Sequence, residues 1–389
     1  MKKTISILGS TGSIGLSTLN IIDKKKSEFK IVLLAANNNF NLICKQIKKY
    51  KPKYYIIKNK SVYTKVNKQF KNKSIIILNT LNNLNFKKKL DLSVAAIPGI
   101  AGLEPTISLI KLSKKVLIAN KESIICGWNI MSKLAKKNKT LLVPVDSEHY
   151  SILKLLENYK INQIEKIYIT ASGGPFLNHK SYQMKKITPK KALKHPKWKM
   201  GKKISIDSST LMNKILEIIE AQKLFNIPNK KLEIIIHPNS LVHAIVKLKN
   251  GLSNFLYHET SMIVPLANAI FDGSLNIKEF YKKSNKKKDL ENLIFQKVNP
   301  KIFPVINLKK RANEYPSTSI IINAANEILV EQFLSKKIPF LSISKTILKI
   351  LNDRNYRKYA IRNPKNILEI SKIDKWARDN ILKRLKLND

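Results

Sequence analysis

The sequence predicts an α/β protein that ends in a helical region. Along the first part of the chain, short runs rich in β-branched residues alternate with stretches of helical periodicity. That rhythm is typical of a mostly parallel sheet with helices on both faces. A glycine-rich turn directly follows the first apolar run, and the last part of the chain shows helical periodicity without strand signals.

The apolar runs define the predicted strands. In the first part of the chain they are Thr4 to Leu8, Phe29 to Ala35, Tyr54 to Ile57, Ser74 to Leu78, Val94 to Ile97, Val116 to Ala119 and Leu141 to Val145. In the middle they are Ile164 to Thr170, Leu232 to Ile236, His243 to Leu248 and Ser253 to Tyr257. We expect this middle part to be α/β or α+β around a mixed sheet.

The same pattern gives the predicted domains. Residues 1–146 form a first α/β domain and residues 147–272 a second. The apolar pattern weakens and Lys, Asn and Ser accumulate afterwards, which predicts a linker over 273–300. Helical periodicity over Ser319 to Phe333 and Ile343 to Leu351 predicts a small helical bundle within residues 301–389.

The chain carries a formal net charge of +47. Such a charge is compatible with nucleic-acid binding, because clustered cations release counterions from phosphates. The excess is nearly all Lys, however, and it is spread along the whole chain as AT-rich codon usage would produce, whereas base-reading surfaces favour Arg. We therefore expect no nucleic-acid partner, although small phosphorylated substrates would gain from the positive field.

Cysteine content and hydropathy indicate in which cellular compartment the protein is expected. Cys44 and Cys126 are the only cysteines and lie far apart, which favours two free thiols in a reducing compartment. No run approaches the roughly 20 apolar residues of a membrane span. We expect a cytoplasmic protein without a membrane partner, whose mature sequence starts at or near Met1.

The first glycine-rich turn has the spacing Gly9-x-x-Gly12-x-x-Gly15 between a predicted strand and a predicted helix. This context predicts a Rossmann-like dinucleotide site, in which the pyrophosphate lies at the helix N-terminus. The alternative is a glycine turn without a ligand. The second strand ends in Asn37, Asn38 and Asn39, where an NAD site normally has an acid, so NADPH is favoured over NADH although no Arg stands there.

Carboxylates are scarce in this chain, yet they occur in its two densest polar motifs. Asp146 and Glu148 follow the seventh apolar run, at the expected carboxyl edge of the sheet. If Ser209 to Ala221 is helical, Lys214 and Glu217 share a face with Asn213. Three converging carboxylates predict a site for Mg²⁺ or Mn²⁺. The alternative for each acid alone is a surface charge or a helix cap.

Further polar groups suit a phosphorylated substrate. Ser172, Ser208, Asn213 and Lys214 offer donors to a dianionic phosphate, and Gly173-Gly174 allow close backbone approach. The segment 195–201 is bracketed by Pro and Gly and predicts a lid, in which Trp198 and Met200 cover the substrate and exclude water. Ordinary core packing is the alternative for Trp198. His237 and His243 are weaker candidates.

Seven motifs follow one another along the chain. They are Gly9 to Gly15, Ala119 to Ser123, Pro144 to His149, Ala171 to Phe176, His195 to Glu217, His237 to His243 and Asn323 to Glu327. In these motifs the chain resembles the 1-deoxy-D-xylulose 5-phosphate reductoisomerase family. The resemblance implies an NADPH-dependent and metal-dependent rearrangement and reduction of 1-deoxy-D-xylulose 5-phosphate to 2-C-methyl-D-erythritol 4-phosphate, in the methylerythritol phosphate route to isoprenoid precursors. It also implies a homodimer.

The resemblance also implies roles for individual residues. The metal ligands would be Asp146, Glu148 and Glu217. The catalytic residues would be Glu148, Lys121, His195 and Lys214. The substrate would contact Ser147, Ser172, His195, Trp198, Met200, Ser208, Asn213 and Lys214. The cofactor would contact Gly9, Ser10, Thr11, Gly12, Ser13, Ile14, Asn37, Asn39, Asn120, Lys121, Glu122 and Gly201.

Several positions depart from the family pattern. Ile215 stands where the family usually has Gly, Asn37 replaces a usual Gly, and Asn38 replaces a usual basic residue. Residues 260–263 keep only Met262 of the family motif, and Pro98 is unusual in its glycine-rich turn. None of these changes removes an expected metal ligand. The alternatives are a related NADPH-dependent, metal-assisted reductase of another sugar phosphate, or a basic nucleic-acid-binding protein.

Overall fold

The computed structural model describes residues 2–71, 73–82, 84–198, 200–280 and 293–386. These residues form two compact units. The first contains residues 2–123, 129–146 and 262–280, and the second contains residues 124–128, 147–261 and 293–386, apart from the undescribed positions. The predicted linker 273–300 lies partly outside the described residues, and the predicted division into domains stays a prediction.

The first unit is built on a parallel sheet. Its strands have the order β4-β3-β2-β1-β5-β6-β7, so β1 is central. Every pair of neighbours runs parallel, which confirms the predicted sheet. The strands are β1 Lys3–Leu8, β2 Phe29–Ala36, β3 Tyr54–Ile57, β4 Ile76–Leu78, β5 Leu90–Ala95, β6 Ser113–Ile118 and β7 Leu141–Pro144.

The fifth strand differs from its predicted bounds. It begins at Leu90 and ends at Ala95, whereas the sequence predicts Val94 to Ile97. Asp91 makes the start of the strand polar, so the apolar pattern does not show it. In the structure the Asp91 carboxylate accepts hydrogen bonds from the backbone N–H of Thr4 at 2.8 Å and from Nζ of Lys114 at 2.8 Å. The chain leaves the sheet before Gly99, whose φ is 71°.

Helices connect these strands. Apolar side chains on one face of each helix explain why they pack on the sheet, as Leu19, Ile21 and Ile22 of the first helix show by their burial. The helices are α1 Ser13–Lys24, α2 Phe40–Tyr50, α3 Lys60–Gln69, α4 Leu103–Leu112 and α5 Lys121–Asn138.

The second unit contains a mixed sheet with the order β11-β10-β8-β9-β12. Strands β8 and β9 pair in parallel and the other pairs are antiparallel, as expected for the middle of the chain. The strands are β8 Ile164–Ala171, β9 Leu232–Ile236, β10 Val242–Leu248, β11 Ser253–Tyr257 and β12 Gln296–Lys297. The helices around it are α6 Ser147–Leu156, α7 Pro189–Ala192, α8 Lys202–Thr210 and α9 Met212–Phe225.

The predicted helix from Ser209 to Ala221 is wrong in one respect, because α8 and α9 are separate helices. Between them Leu211 adopts a left-handed conformation with φ 67°. The hydroxyls before the break bond to the backbone of their own helix: Ser209 and Thr210 both donate to the carbonyl of Ile206, at 2.8 and 3.1 Å. Such local bonds compete with a continuous helix. Asn213, Lys214 and Glu217 all lie within α9, so their shared face is preserved.

Helix α10 Ile263–Phe271 belongs to the first unit. There Phe271 packs edge-on against Phe29 at 5.6 Å, and Lys115 Nζ donates to the Ala269 carbonyl at 2.6 Å. The C-terminal part of the second unit is helical, as predicted, with α11 Thr318–Leu334, α12 Phe340–Ile350, α13 Tyr356–Ala360 and α14 Ile367–Lys386. Across the described parts of the chain, no helix has the length and apolar composition needed to cross a membrane.

Candidate active site

The turn after β1 requires glycine at two positions. Gly9 has φ 82°, and a Cβ there would lie 2.4 Å from the Ala96 carbonyl oxygen. A Cβ on Gly15 would lie 2.3 Å from the Gly9 carbonyl oxygen. Helix α1 begins at Ser13 with Gly12 at its N-cap and no side-chain cap, so its first N–H groups are available to an anion. This cradle fits a pyrophosphate.

A cavity of about 670 Å³ lies in the first unit beside this turn. It is open at the carboxyl ends of β1, β2, β3 and β5, where the strand order reverses and α/β sheets bind their ligands. Its lining is Gly9, Thr11, Gly12, Ala35, Ala36, Asn37, Ile56, Lys58, Asn79, Thr80, Leu81, Asn82, Ala96, Ile97, Pro98, Ala101, Glu104, Pro105 and Ser108.

Four of the predicted cofactor residues therefore line the cavity, namely Gly9, Thr11, Gly12 and Asn37. The others have different positions. Asn39 caps α2, since its Oδ1 accepts from the N–H of Leu42 at 3.1 Å. Ser13 and Ile14 form the start of α1. Glu122 is buried in the first turn of α5, and Gly201 is the N-cap of α8 in the second unit.

The side chain of Ser10 supports the glycine turn from behind. Its hydroxyl is fully buried and donates to Oε1 of Gln46 at 2.7 Å, and it lies 3.1 Å from the hydroxyl of Tyr55. Gln46 also donates to the Ser10 carbonyl at 2.9 Å. The Ser10 hydroxyl is therefore engaged within the protein, and the predicted contact of Ser10 with the cofactor stays a prediction.

Asn120 joins the turn after β5 to α5. Its Oδ1 accepts from the N–H of Ser123 at 2.6 Å, which caps the helix, and its Nδ2 donates to the Gly99 carbonyl at 2.9 Å and to the Ile97 carbonyl. The next residue, Lys121, forms an ion pair with Asp146 at 2.6 Å in the same unit. A predicted catalytic lysine and a predicted metal ligand are thus direct neighbours.

Three predicted site residues of the second unit meet at one point. Nζ of Lys214 lies 2.8 Å from Oε2 of Glu217 and also donates to Oε1 of Glu148. Ser147 donates to the other Glu148 oxygen at 2.5 Å, and Asn213 donates to the other Glu217 oxygen. The Lys214 side chain is 8% exposed, Glu148 is 12% exposed and Glu217 is fully buried.

Electrostatics keep this cluster charged. Burial acts to raise the pKa of Glu148, but the Lys214 ammonium together with His243 and the Ser147 hydroxyl outweighs burial and holds that pKa well below its usual range. Burial likewise disfavours the charge on Lys214, and the carboxylates of Glu148 and Glu217 outweigh it and raise the pKa of the ammonium. Because two carboxylates already converge on one positive charge, these residues fit a hard divalent cation.

His149 connects the helices that carry the two carboxylates. It is fully buried, its Nε2 donates to the Glu217 carbonyl at 3.0 Å, and its Nδ1 lies 3.2 Å from Oε2 of Glu220. It therefore fixes α6, which carries Glu148, against α9. His149 and Glu220 were not predicted as site residues. The spacing between Glu217 and Glu220 was the available signal, because it places both acids on one helix face.

Ser172 and His195 form a second polar pair. Nδ1 of His195 accepts from the N–H groups of Lys197 and Trp198, at 3.2 and 2.9 Å, so in the neutral ring the proton is on Nε2. Burial and the nearby Lys214 lower the pKa of His195 to about 4, which keeps the ring neutral at pH 7. Nε2 then donates to Ser172 Oγ at 3.0 Å, and the Ser172 hydroxyl proton is directed elsewhere.

The predicted lid, residues 195–201, contains Lys199, which lies outside the described residues. Trp198 is half-buried and packs edge-on against His243, with ring centroids 6.3 Å apart. His243 stacks on His258 at 3.7 Å. Met200, two residues after Trp198 in the chain, is also half-buried. Trp198 thus contacts His243 and is not fully buried.

Helix α8 carries Ser208, which is half-buried. A Cβ on Gly174 would lie 2.9 Å from the Ser208 carbonyl oxygen, so the glycine after β8 allows close contact with this helix. Asp207 is 2% exposed and accepts from Nδ2 of Asn326 at 2.7 Å and from Nζ of Lys203 at 2.8 Å. The bond from Asn326 anchors α8 to α11, and the bond from Lys203 lies within α8.

Models of known protein families match most of this chain. The 1-deoxy-D-xylulose 5-phosphate reductoisomerase model matches residues 5–127, the reductoisomerase C-terminal domain matches residues 142–225, and the DXP reductoisomerase C-terminal domain matches residues 259–380. A 1-deoxy-D-xylulose 5-phosphate reductoisomerase of Pelagibacter ubique is 47% identical over 96% of this chain and 97% of its own. The chain belongs to the 1-deoxy-D-xylulose 5-phosphate reductoisomerase family.

Other members of the reductoisomerase family are similar to this chain in sequence and in structure. The protein of that name from Wolbachia pipientis wMel is 42% identical over 89% of both chains. A DOX-P reductoisomerase crystallised with NADPH, fosmidomycin and magnesium superposes with a TM-score of 0.91 at 30% identity, covering 99% of this chain and 98% of its own. The Zymomonas mobilis reductoisomerase in complex with NADPH gives 0.88 at 32% identity and covers 99% of both chains. The predicted family and fold class are confirmed.

Part of the lining of this cavity was not predicted from the sequence. Lys58 follows β3, and Asn79, Thr80 and Asn82 follow β4. Their signal was topological, since the carboxyl ends of parallel strands meet at one edge of the sheet.

Proposed function

We propose that this chain converts 1-deoxy-D-xylulose 5-phosphate to 2-C-methyl-D-erythritol 4-phosphate, using NADPH and Mg²⁺ or Mn²⁺, in the synthesis of isoprenoid precursors. The observation that carries the proposal is the buried cluster of Glu148, Lys214 and Glu217 in a chain of the reductoisomerase family. The structural relative crystallised with NADPH, fosmidomycin and magnesium supports the choice of cofactors.

Asp146, Glu148 and Glu217 would hold the metal. Glu148 and Glu217 already converge, and Asp146 precedes Ser147, the first residue of α6. When bound, a divalent cation supplies a Lewis acid that polarises a substrate carbonyl. His149 positions Glu217 through its backbone carbonyl. Lys121 Nζ lies 2.6 Å from Asp146 Oδ2, and the family resemblance supports Lys121 as a catalytic residue.

The substrate phosphate would be bound by Ser172, Ser208, Asn213 and Lys214. Ser172 Oγ accepts from His195 Nε2 at 3.0 Å and from the Gly174 N–H at 3.1 Å, so its own proton is available for a phosphate oxygen. Lys214 supplies an ammonium, and the Asn213 amide is its neighbour on α9. A neutral His195 orients Ser172 without adding charge.

The lid residues would shield the reacting groups from water. Trp198 rests against His243, and Met200 lies two residues further, so closure of 195–201 would place apolar surface over the substrate. Ser147 orients the Glu148 carboxylate through their hydrogen bond. NADPH would be bound by the glycine turn and the cavity of the first unit, and Asn39, Asn120, Glu122 and Gly201 remain proposed contacts.

We further propose that the protein is a cytoplasmic homodimer that binds neither nucleic acid nor a membrane. The homodimer follows from the resemblance to its family. Cys44 and Cys126 are buried and form no disulfide, which supports a reducing compartment. Light scattering of the purified protein measures the mass of the assembly, and the mass of a single chain would contradict the dimer.

The decisive experiment follows NADPH oxidation after addition of 1-deoxy-D-xylulose 5-phosphate with Mn²⁺ or Mg²⁺, and then with excess EDTA. Metal-dependent oxidation that yields 2-C-methyl-D-erythritol 4-phosphate supports the proposal. If NADPH and metal bind but no oxidation occurs, another phosphorylated sugar is the substrate, and the departures at Ile215 and residues 260–263 are the first positions to revert.

A further inference from the structure

We propose that Lys58 recognises the 2′-phosphate of NADPH and sets the preference of this chain for NADPH over NADH. The inference rests on the proposed function, because it concerns the cofactor of that reaction. It assigns a specificity role to a residue that follows the third strand, not the second.

Lys58 lies directly beside the end of the second strand. Strands β2 and β3 are parallel, with Ala36 opposite Ile57, and the N–H of Lys58 donates to the Ala36 carbonyl at 3.2 Å. Neighbouring strands are about 4.8 Å apart. Asn37 and Lys58 are therefore adjacent, and both line the cavity.

This edge is where a dinucleotide-binding sheet binds the adenosine ribose. The residue at the end of the second strand normally contacts the ribose hydroxyls. Here that position is Asn37, whose amide carries no charge to repel a phosphate. Asn38 and Asn39, the next residues along the chain, are also uncharged, so a cation at this edge comes from another element. Lys58 provides it from the neighbouring strand.

The charges around the cavity support this placement. Among the described residues that line it, Lys58 is the only cation. Glu104 is the only carboxylate there, and it lies on α4, which follows β5 on the other side of β1 in the sheet. The field at the β2 and β3 ends therefore favours an anion.

Neutral donors complete the proposed subsite. Asn79 and Thr80 follow β4, the strand next to β3, and line the same cavity. The Lys58 side chain is exposed, and its flexible stem can bring the ammonium to a phosphate oxygen. Amide, hydroxyl and ammonium donors together suit a dianionic phosphomonoester.

The test compares Lys58→Ala with Lys60→Ala by calorimetric titration with NADPH and with NADH, without substrate. Lys60 is the matched control because it is exposed at the start of α3 and does not line the cavity. A lost charge-assisted hydrogen bond corresponds to roughly a tenfold or larger increase in the Kd for NADPH. We expect that increase in Lys58→Ala alone, an unchanged Kd for NADH, and recovery in Lys58→Arg.

The outcomes separate the two proposals. If Lys58→Ala weakens both nucleotides equally, or neither, then the 2′-phosphate is recognised elsewhere and the inference is wrong while the proposed function stands. If the wild-type protein binds neither nucleotide, the proposed function fails and the inference fails with it. Equal melting temperatures of the variants exclude misfolding as the cause of a changed Kd.

Discussion

Nζ of Lys214 lies 2.8 Å from Oε2 of Glu217, three residues further along α9, and the two side chains are almost completely buried. A buried ion pair is costly to break from one side, because the remaining charge has no compensation. The pair therefore links the stability of the apoprotein to the same residues that we propose for metal and phosphate binding.

Glu217→Gln should abolish metal-dependent turnover and leave NADPH binding intact. The variant loses a negative charge from the proposed metal site, whereas the cavity lining contains no residue of α9. NADPH oxidation and calorimetric NADPH binding measure the two effects separately. Normal turnover by the variant would show that the metal site is assigned to the wrong residues.

Lys214→Ala should raise the KM for the sugar phosphate and lower the free energy of unfolding by about 3 to 5 kcal/mol without metal. Two buried carboxylates, Glu148 and Glu217, would then lack their common cation. Added Mg²⁺ should raise the melting temperature of the variant more than that of the wild type.

The control for this variant is Lys154→Ala. Lys154 pairs with the largely exposed Glu157 at 2.7 Å, so its removal should cost at most about 1 kcal/mol. An unchanged KM in Lys214→Ala would remove Lys214 from the phosphate site. Equal destabilisation of the two variants would contradict the buried pair.

Asn120→Ala should weaken NADPH binding and lower the free energy of unfolding by about 1 kcal/mol, the usual value of a lost N-cap. Its amide also bonds to the Gly99 carbonyl at 2.9 Å, in the turn after β5. Asn120→Asp keeps the cap acceptor and loses this donor, so it should retain more stability but bind NADPH as weakly as the Ala variant. Chemical unfolding and nucleotide titration check the two parts.

The unfolding free energy in EDTA should fall as the pH is lowered from about 6.5, the ordinary histidine value, towards 4. Burial lowers the pKa of His195 to about 4 and that of His243 to about 3, so in this window the unfolded chain binds protons that the folded chain excludes. Stability is retained above the window and lost below it. His243→Gln should reduce the slope by up to one proton, and an unchanged slope would contradict a buried neutral His243.

Much of the fold could be predicted because its signals are local in sequence. The parallel strands of the first unit are buried on both faces and read as continuous apolar runs, as Ile31, Val32, Leu33 and Leu34 of β2 show. The shared face of Asn213, Lys214 and Glu217 followed from helical spacing alone. The predicted bounds of β5 begin too late in the chain, because Asp91, a partly buried partner of Thr4, has the polarity of a loop residue.

Other features depend on contacts between distant residues. The sequence could not show that the Ser10 side chain faces Gln46 and Tyr55, or that Lys58 lies beside Asn37. Each requires the register of elements that are far apart in the chain.

The support behind the glycine turn has a thermodynamic consequence for cofactor binding. Because Gln46 bonds to both the hydroxyl and the carbonyl of Ser10, the turn has its shape before any nucleotide arrives. Association then loses little conformational entropy in this loop, and more of the interaction energy remains as affinity. The proposed pyrophosphate site is therefore preorganised in the apoprotein by the side chain of Gln46.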